Sequence, residues 1–87
     1  MKKLLVVVDY QNDFVDGSLG FEGAKALEDA IAKKIDACRA AGDDIIFTLD
    51  THGEDYLDTQ EGRLLPIEHC LRATPGWELY GSIAERA

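Results

Sequence analysis

Two short apolar runs rich in β-branched residues flank a longer stretch with helical periodicity in the first half of the chain. The runs are Leu4–Val8 and Ile45–Leu49, and uninterrupted runs of this kind are typical of strands buried on both faces of a parallel sheet. Between them, apolar side chains recur every three or four residues, which predicts a helix over 24–41. The apolar stripe consists of Leu27, Ile31, Ile35 and Cys38. This order of elements predicts a right-handed βαβ unit.

The remaining segments are rich in residues that form turns. Residues 9–23 and 50–76 are predicted to be loops, 77–85 a short helix, and Gly42 the glycine that ends the long helix. Two strands and one long helix cannot cover both faces of a sheet or both of its edges. The pattern therefore predicts the first half of a larger α/β domain.

Composition excludes two classes of partner. Of the 87 residues 46% are hydrophobic, which suits one small globular domain. The formal net charge of −8 argues against nucleic acid and anionic membranes, since both bind clustered lysine and arginine. No apolar stretch approaches the roughly 18–20 residues of a membrane span. Cys38 and Cys70 form no CxxC motif, which favours a reducing compartment, and we expect a cytoplasmic protein.

The first apolar run ends in a carboxylate within the segment VVVDYQNDF. Ligands of open α/β sheets bind beyond the carboxyl ends of the strands, so Asp9 is a candidate general base. The alternative is that Asp9 only caps a turn. Phe14 lies either in the core beneath this loop or in the wall of a pocket. Asn12 and Asp13 are expected to brace the backbone of the loop through local hydrogen bonds.

A second group of polar residues follows the second apolar run. Asp50 and His52 are separated by one residue, so in extended backbone both side chains point to the same side. Carboxylate oxygen and imidazole nitrogen are suitable ligands for Zn²⁺. His69 is the other histidine of the chain and would complete a three-ligand catalytic metal site. The alternative is a satisfied polar pair and an exposed loop histidine.

Taken together, these motifs resemble those of the isochorismatase-like cysteine hydrolases, the superfamily that includes nicotinamidases. VVVDYQNDF is similar to the opening signature of the family, and DTH at 50–52 to its metal motif. LPIEHC with the following Thr-Pro-Gly at 74–76 is similar to a later nicotinamidase segment. The resemblance implies a Rossmann-like three-layer α/β/α fold with a parallel sheet. Residues 1–87 would form the N-terminal part of that single domain and hold its first βαβ half.

The resemblance also implies a chemistry. Family members hydrolyse amides, or an enol ether in isochorismatase, with a catalytic set of aspartate, lysine and cysteine. Asp9 matches the aspartate of this set. The ligands of the nicotinamidase metal are matched by Asp50, His52 and His69. The implied cofactor is a divalent metal, zinc first with iron or manganese as alternatives, and the implied substrate is a small-molecule amide. Independently of the resemblance, Phe14 is the candidate substrate-binding residue.

Parts of the family pattern have no counterpart in this sequence. The family's lysine and nucleophilic cysteine fall outside the matched segment, because Cys70 matches a cysteine beside the metal histidine. Leu65 stands where many nicotinamidases carry a tryptophan. The predicted function is the N-terminal portion of a metal-assisted cysteine amidohydrolase. One alternative is an inactive fragment that binds a metal or a partner, and another is one subunit of a two-chain hydrolase. In either case, we expect a second copy of the chain or a complementary chain to cover the edges of the sheet.

Overall fold

The computed structural model describes residues 2–87, and its centre is a pair of parallel strands. β1 (Leu4–Val7) and β2 (Asp44–Phe47) pair in register, with Leu4 opposite Asp44 and Val7 opposite Phe47. The helix between them completes the βαβ unit, so the predicted α/β class is confirmed. Each strand ends earlier than its apolar run. Two residues beyond β1 the backbone reaches a left-handed residue, Asp9, whose φ is 50°.

Helices and short 3₁₀ turns surround the strand pair. The α-helices are α1 (Asn12–Val15), α2 (Glu22–Lys25), α3 (Glu28–Ala40), α4 (Gln60–Leu64) and α5 (Gly81–Arg86). The 3₁₀ turns are Tyr56–Asp58 and Pro75–Trp77. The two long segments interpreted as mostly loop thus contain short helices, and the last helix starts at Gly81 rather than near Trp77. In these short helices tertiary contacts outweigh the local turn signals.

The long helix also begins later than the periodicity predicted. Just before α3 the α-helical hydrogen bonding is interrupted. The N–H of Leu27 donates to the carbonyl of Ala24, three residues earlier, which is a 3₁₀-type bond. The side chain of Leu27 is 51% exposed, whereas Ile35 is fully buried, so the apolar stripe starts one turn further on. At the other end Gly42 adopts a φ of 77°, as predicted for a helix-ending glycine.

The strand pair is covered on one face only. α3 packs against β1 and β2, and on that face Val7 is buried in the core. On the opposite face Leu4, Val6 and Ile46 are 58%, 41% and 47% exposed. Within residues 2–87 the two strands are therefore not buried on both faces, contrary to what their apolar runs predicted. Their side chains alternate between the core and the exposed face.

Polar contacts join α5 to α3 on either side of the buried Ile83. One carboxylate oxygen of Glu28 accepts hydrogen bonds from the backbone N–H and the hydroxyl of Ser82, at 2.8 and 2.9 Å. The guanidinium of Arg86 donates to both carboxylate oxygens of Asp36, at 3.0 and 3.1 Å. The hydrogen bonds from Ser82 hold the pKa of Glu28 below its usual 4.5, and the bond from Arg86 likewise lowers the pKa of Asp36.

Replacing Glu28 by glutamine should lower the urea midpoint of unfolding at neutral pH, because a neutral amide accepts hydrogen bonds more weakly than a carboxylate. Because the pKa of Glu28 is lower in the folded chain than its unfolded value of 4.5, its carboxylate stabilises the fold at pH values above 4.5. This contribution is lost as the pH falls through the pKa of the folded state. The difference from the unsubstituted chain should therefore shrink in acid. Asp29→Asn, at an exposed position on the same helix, is the control, and a difference that persists in acid would contradict the charge effect.

Candidate metal centre

The segment that follows β2 brings three metal-ligating side chains together. The carboxylate Oδ2 of Asp50 lies 3.2 Å from Nε2 of His52 and 3.5 Å from Nε2 of His69. One ligand atom from each residue falls within 4.8 Å of the others. The loop carrying His69 is held there by a parallel bridge, in which the N–H of His52 donates to the carbonyl of Cys70 at 2.9 Å.

Hydrogen bonding fixes which nitrogen of His69 faces this cluster. Nδ1 of His69 lies 2.8 Å from the carbonyl oxygen of Ile67, so Nδ1 carries the proton of that bond, and in the neutral ring the lone pair is on Nε2, which faces the cluster. The side chain is also buried, with 4% of its surface exposed. The alternative of an exposed loop histidine therefore does not hold, and the ring is oriented as a ligand would be.

Aromatic rings support the two imidazoles. Tyr56 is fully buried, and its ring centroid lies 4.7 Å from that of His52 and 5.1 Å from that of His69, edge to face in both cases. Its hydroxyl donates to the carbonyl of Leu65 at 2.8 Å. Phe14 is half-buried and packs edge to face on His69 at 5.5 Å. Phe14 thus lies beside the cluster, at the margin between core and solvent.

A second carboxylate that sequence reasoning missed also approaches the cluster. Oε2 of Glu61 lies 3.2 Å from Nε2 of His52. Glu61 lies in the first turn of α4, which is capped by the hydroxyl of Thr59 bonding to the N–H of Gly62. A Cβ at Gly62 would come within 2.0 Å of the carbonyl oxygen of Tyr56, so only glycine allows this helix to pack so closely. Thr59 is a typical N-cap residue that marks the start of α4, but no local signal in the sequence identifies Glu61 as a neighbour of His52.

The donor set and its spacing fit a divalent metal ion. Ligand atoms about 2.0–2.2 Å from a tetrahedral zinc lie about 3.3–3.6 Å from one another. The two distances from the Asp50 carboxylate, 3.2 and 3.5 Å, are close to this range, and the three ligand atoms together fall within 4.8 Å. Glu61 adds a second carboxylate beside His52, and a cation between these groups would offset their negative charge. Asp50, His52 and His69 could hold the ion, with Glu61 at its margin.

Asp9 is separate from this cluster and is held by the neighbouring strand. Its backbone N–H donates to the hydroxyl of Thr48 at 2.9 Å, and its Oδ1 accepts from the same hydroxyl at 2.6 Å. A left-handed φ of 50° is uncommon for a residue other than glycine and tends to occur at functional sites. Asp9 therefore presents a half-buried, oriented carboxylate at the carboxyl end of β1.

Cys70 is unsuited to be a nucleophile, although it follows His69. The residue is fully buried. Burial raises the pKa of its thiol to about 12, and the negative charges of Asp50, Asp13 and Asp9 add to this effect. The thiol therefore stays protonated at neutral pH, whereas nucleophilic attack requires the thiolate. Its backbone also has a left-handed φ of 49°.

Asn12 and Asp13 bind backbone groups, but of distant segments rather than of their own loop. The amide of Asn12 donates to the carbonyl of Pro75 at 2.7 Å. The carboxylate of Asp13 accepts from the N–H of Cys70 at 2.7 Å. A Cβ at Gly76 would lie 2.2 Å from that carboxylate, so the glycine makes room for it. The local bracing expected from sequence is thus replaced by contacts that connect separate loops.

The chain belongs to the isochorismatase family. The model of the Isochorismatase domain matches residues 3–87. Over 86 residues the chain is 37% identical to the "uncharacterized isochorismatase family protein PncA" of Bacillus subtilis, a match that covers 95% of this chain and 46% of that protein. The resemblance deduced from the three sequence motifs is therefore confirmed.

Solved structures give the same assignment. The crystal structure of nicotinamidase PncA from Bacillus subtilis superimposes with a TM-score of 0.84 at 39% identity, covering 98% of this chain and 47% of that one. A pyrazinamidase of Pyrococcus horikoshii, solved in complex with zinc, gives a TM-score of 0.78 at 31% identity, covering 91% of this chain and 45% of that one. The chain thus spans about half the length of these relatives. Within residues 2–87 no helix is both long and apolar enough to cross a membrane.

Proposed function

We propose that residues 1–87 form the N-terminal part of a single hydrolase domain that cleaves the C–N bond of a small-molecule amide with the help of a metal ion and a cysteine nucleophile. The observation that carries this proposal is the convergence of Asp50, His52 and His69 on one point. The nicotinamidase and pyrazinamidase relatives support an amide as the substrate. The cysteine nucleophile and a lysine would come from the part of the domain that corresponds to the unmatched half of the relatives.

Zinc is the proposed metal, with iron or manganese as alternatives. The related pyrazinamidase was solved with zinc, and a mixed set of imidazole and carboxylate ligands suits this ion. A metal bound there would polarise the substrate and orient it. His69 contributes a buried nitrogen whose lone pair is already directed at the site, and the ring of Tyr56 keeps both imidazoles in place.

Asp9 is the proposed general base, which takes the proton from the attacking thiol. Thr48 binds both its backbone and its carboxylate, so one oxygen is oriented and the other is left for the proton. Phe14 would form one wall of the substrate pocket, because it packs on His69 at the margin of the site. In this proposal Asp9 transfers the proton, whereas Asp50, His52 and His69 hold the metal.

The bare face of the strand pair favours a covering partner. Leu4, Val6 and Ile46 expose apolar side chains there, and uncovered apolar sheet surface tends to pack or aggregate. A complementary chain or a second copy of this chain is therefore proposed to lie on it. The cysteines Cys38 and Cys70 are free thiols, which suits a cytoplasmic location.

Ammonia release from primary amides, nicotinamide first, tests the proposed activity. The assay needs this chain joined to or mixed with the polypeptide that supplies the lysine and cysteine. Chelation should abolish the release, and Zn²⁺ should restore it, whereas Mg²⁺ should not, since Mg²⁺ prefers an all-oxygen octahedral site. Ammonia release that survives complete removal of metal would overturn the metal-assisted mechanism.

A further inference from the structure

Gln11 is a fully buried polar side chain whose hydrogen bonds lead to the candidate metal centre. It has no exposed surface. Its Oε1 accepts from the backbone N–H of Asp50 at 2.8 Å. Its Nε2 donates to the carbonyl of Asp50 at 3.0 Å and to the carbonyl of Trp77 at 2.6 Å. The carboxamide therefore binds both backbone groups of a single candidate ligand.

These two bonds replace a missing strand partner. β2 ends at Phe47, so Asp50 lies outside the ladder that would otherwise hold its peptide groups. A carboxamide has a donor and an acceptor side by side, as a neighbouring backbone has, and can satisfy both groups at once. Fixing the N–H and the C=O of one residue fixes the peptide planes on both sides of its Cα. The direction of the Asp50 side chain is thereby restricted.

That direction determines the geometry of the cluster. The same carboxylate oxygen of Asp50 lies 3.2 Å from one imidazole and 3.5 Å from the other, so a small rotation of the backbone would lengthen at least one of these distances. The imidazole of His69 is held independently, through Nδ1 and the carbonyl of Ile67. The backbone of Asp50, by contrast, is held by a side chain from another segment of the chain.

We propose that Gln11 is a positioning residue for the metal centre: its carboxamide holds the backbone of Asp50 so that the carboxylate meets His52 and His69 at ligand distance. The inference rests on the proposed function, because it assumes that this cluster binds a metal. Gln11 itself is not a ligand. Its effect should appear in the affinity and geometry of the bound metal, since partners that orient ligands typically contribute about 10- to 100-fold in affinity.

Two substitutions remove the contact in different ways. Gln11→Glu keeps the shape and the acceptor but cannot donate to the carbonyls of Asp50 and Trp77. Gln11→Asn keeps the amide, buries no charge and is one methylene too short to reach. Asn12→Ala is the matched control, because Asn12 donates to the carbonyl of Pro75 at 2.7 Å and so braces the same Pro75–Trp77 turn without touching Asp50.

The probe is Co²⁺, titrated into the purified protein and followed by its visible absorption, whose intensity reports coordination geometry. Both Gln11 variants should bind Co²⁺ about 10- to 100-fold more weakly and give an altered spectrum at saturation, while Asn12→Ala binds as the unsubstituted protein does. Circular dichroism melting establishes that each variant is folded at the titration temperature, with Gln11→Asn replacing Gln11→Glu if the buried charge unfolds it. Normal affinity and spectrum in a folded Gln11 variant would overturn the inference alone. Absence of Co²⁺ binding by the unsubstituted protein would overturn the proposed metal centre, and the inference with it.

Discussion

Replacing His69 by alanine should lower the affinity for Zn²⁺ by at least about 100-fold, more than the loss of an orienting partner. His69 supplies a buried nitrogen that lies 3.5 Å from the Asp50 carboxylate. Without it, Asp50 and His52 remain to hold the ion. Titration calorimetry with Zn²⁺ measures the change, and the amidase activity of the complete protein should fall in parallel because the proposed metal orients the substrate.

A neighbouring substitution separates ligation from general damage to the loop. Glu68→Ala changes an exposed side chain next to His69 and removes no ligand, since the hydrogen bond that Ser18 donates goes to the backbone carbonyl of Glu68. Zn²⁺ affinity should be unchanged in this variant. Equal loss in both variants would indicate that loop structure rather than the imidazole governs binding, and full affinity in His69→Ala would remove His69 from the site.

Replacing Asp9 by asparagine should reduce amide hydrolysis by about 10²- to 10⁴-fold while leaving metal affinity intact, because the proposed role of the carboxylate is proton transfer. Asparagine can still accept the hydrogen bond that Thr48 donates at 2.6 Å. It also tolerates the left-handed backbone of this position, where φ is 50°. The substitution therefore removes the base with little change to the fold. Ammonia release and Zn²⁺ binding are to be measured on one preparation of the protein supplied with the cysteine nucleophile.

The control for this experiment is Asp16→Asn, which removes an equal charge from an exposed position just beyond α1. Its turnover should match that of the unsubstituted protein. Full activity in Asp9→Asn would exclude Asp9 as the base. Loss of metal from Asp9→Asn would instead mean that Asp9 is a ligand.

The elements whose signals are local could be predicted from the order of the amino acids alone. Apolar runs gave β1 and β2, helical periodicity gave most of α3, and Gly42 marked the end of that helix, because each of these depends on side chains within a few residues of one another. The pairing of Asp50 with His52 was also predictable, since residues two apart in extended backbone share a side. The family signature in VVVDYQNDF and its companions completed the assignment.

How these elements meet could not be predicted in this way, because it depends on contacts that form only in the folded chain. Gln11 binds Asp50 across 39 residues of sequence, and Asp13 binds Cys70 across 57. Such contacts leave no periodicity in the sequence, because they depend on where the chain returns in space. Glu61 likewise faces the site only because Gly62 allows α4 to pack on the Tyr56 backbone. Local hydrogen bonding and periodic burial are encoded within a few residues, whereas the orientation of a ligand depends on partners that only the folded chain brings together.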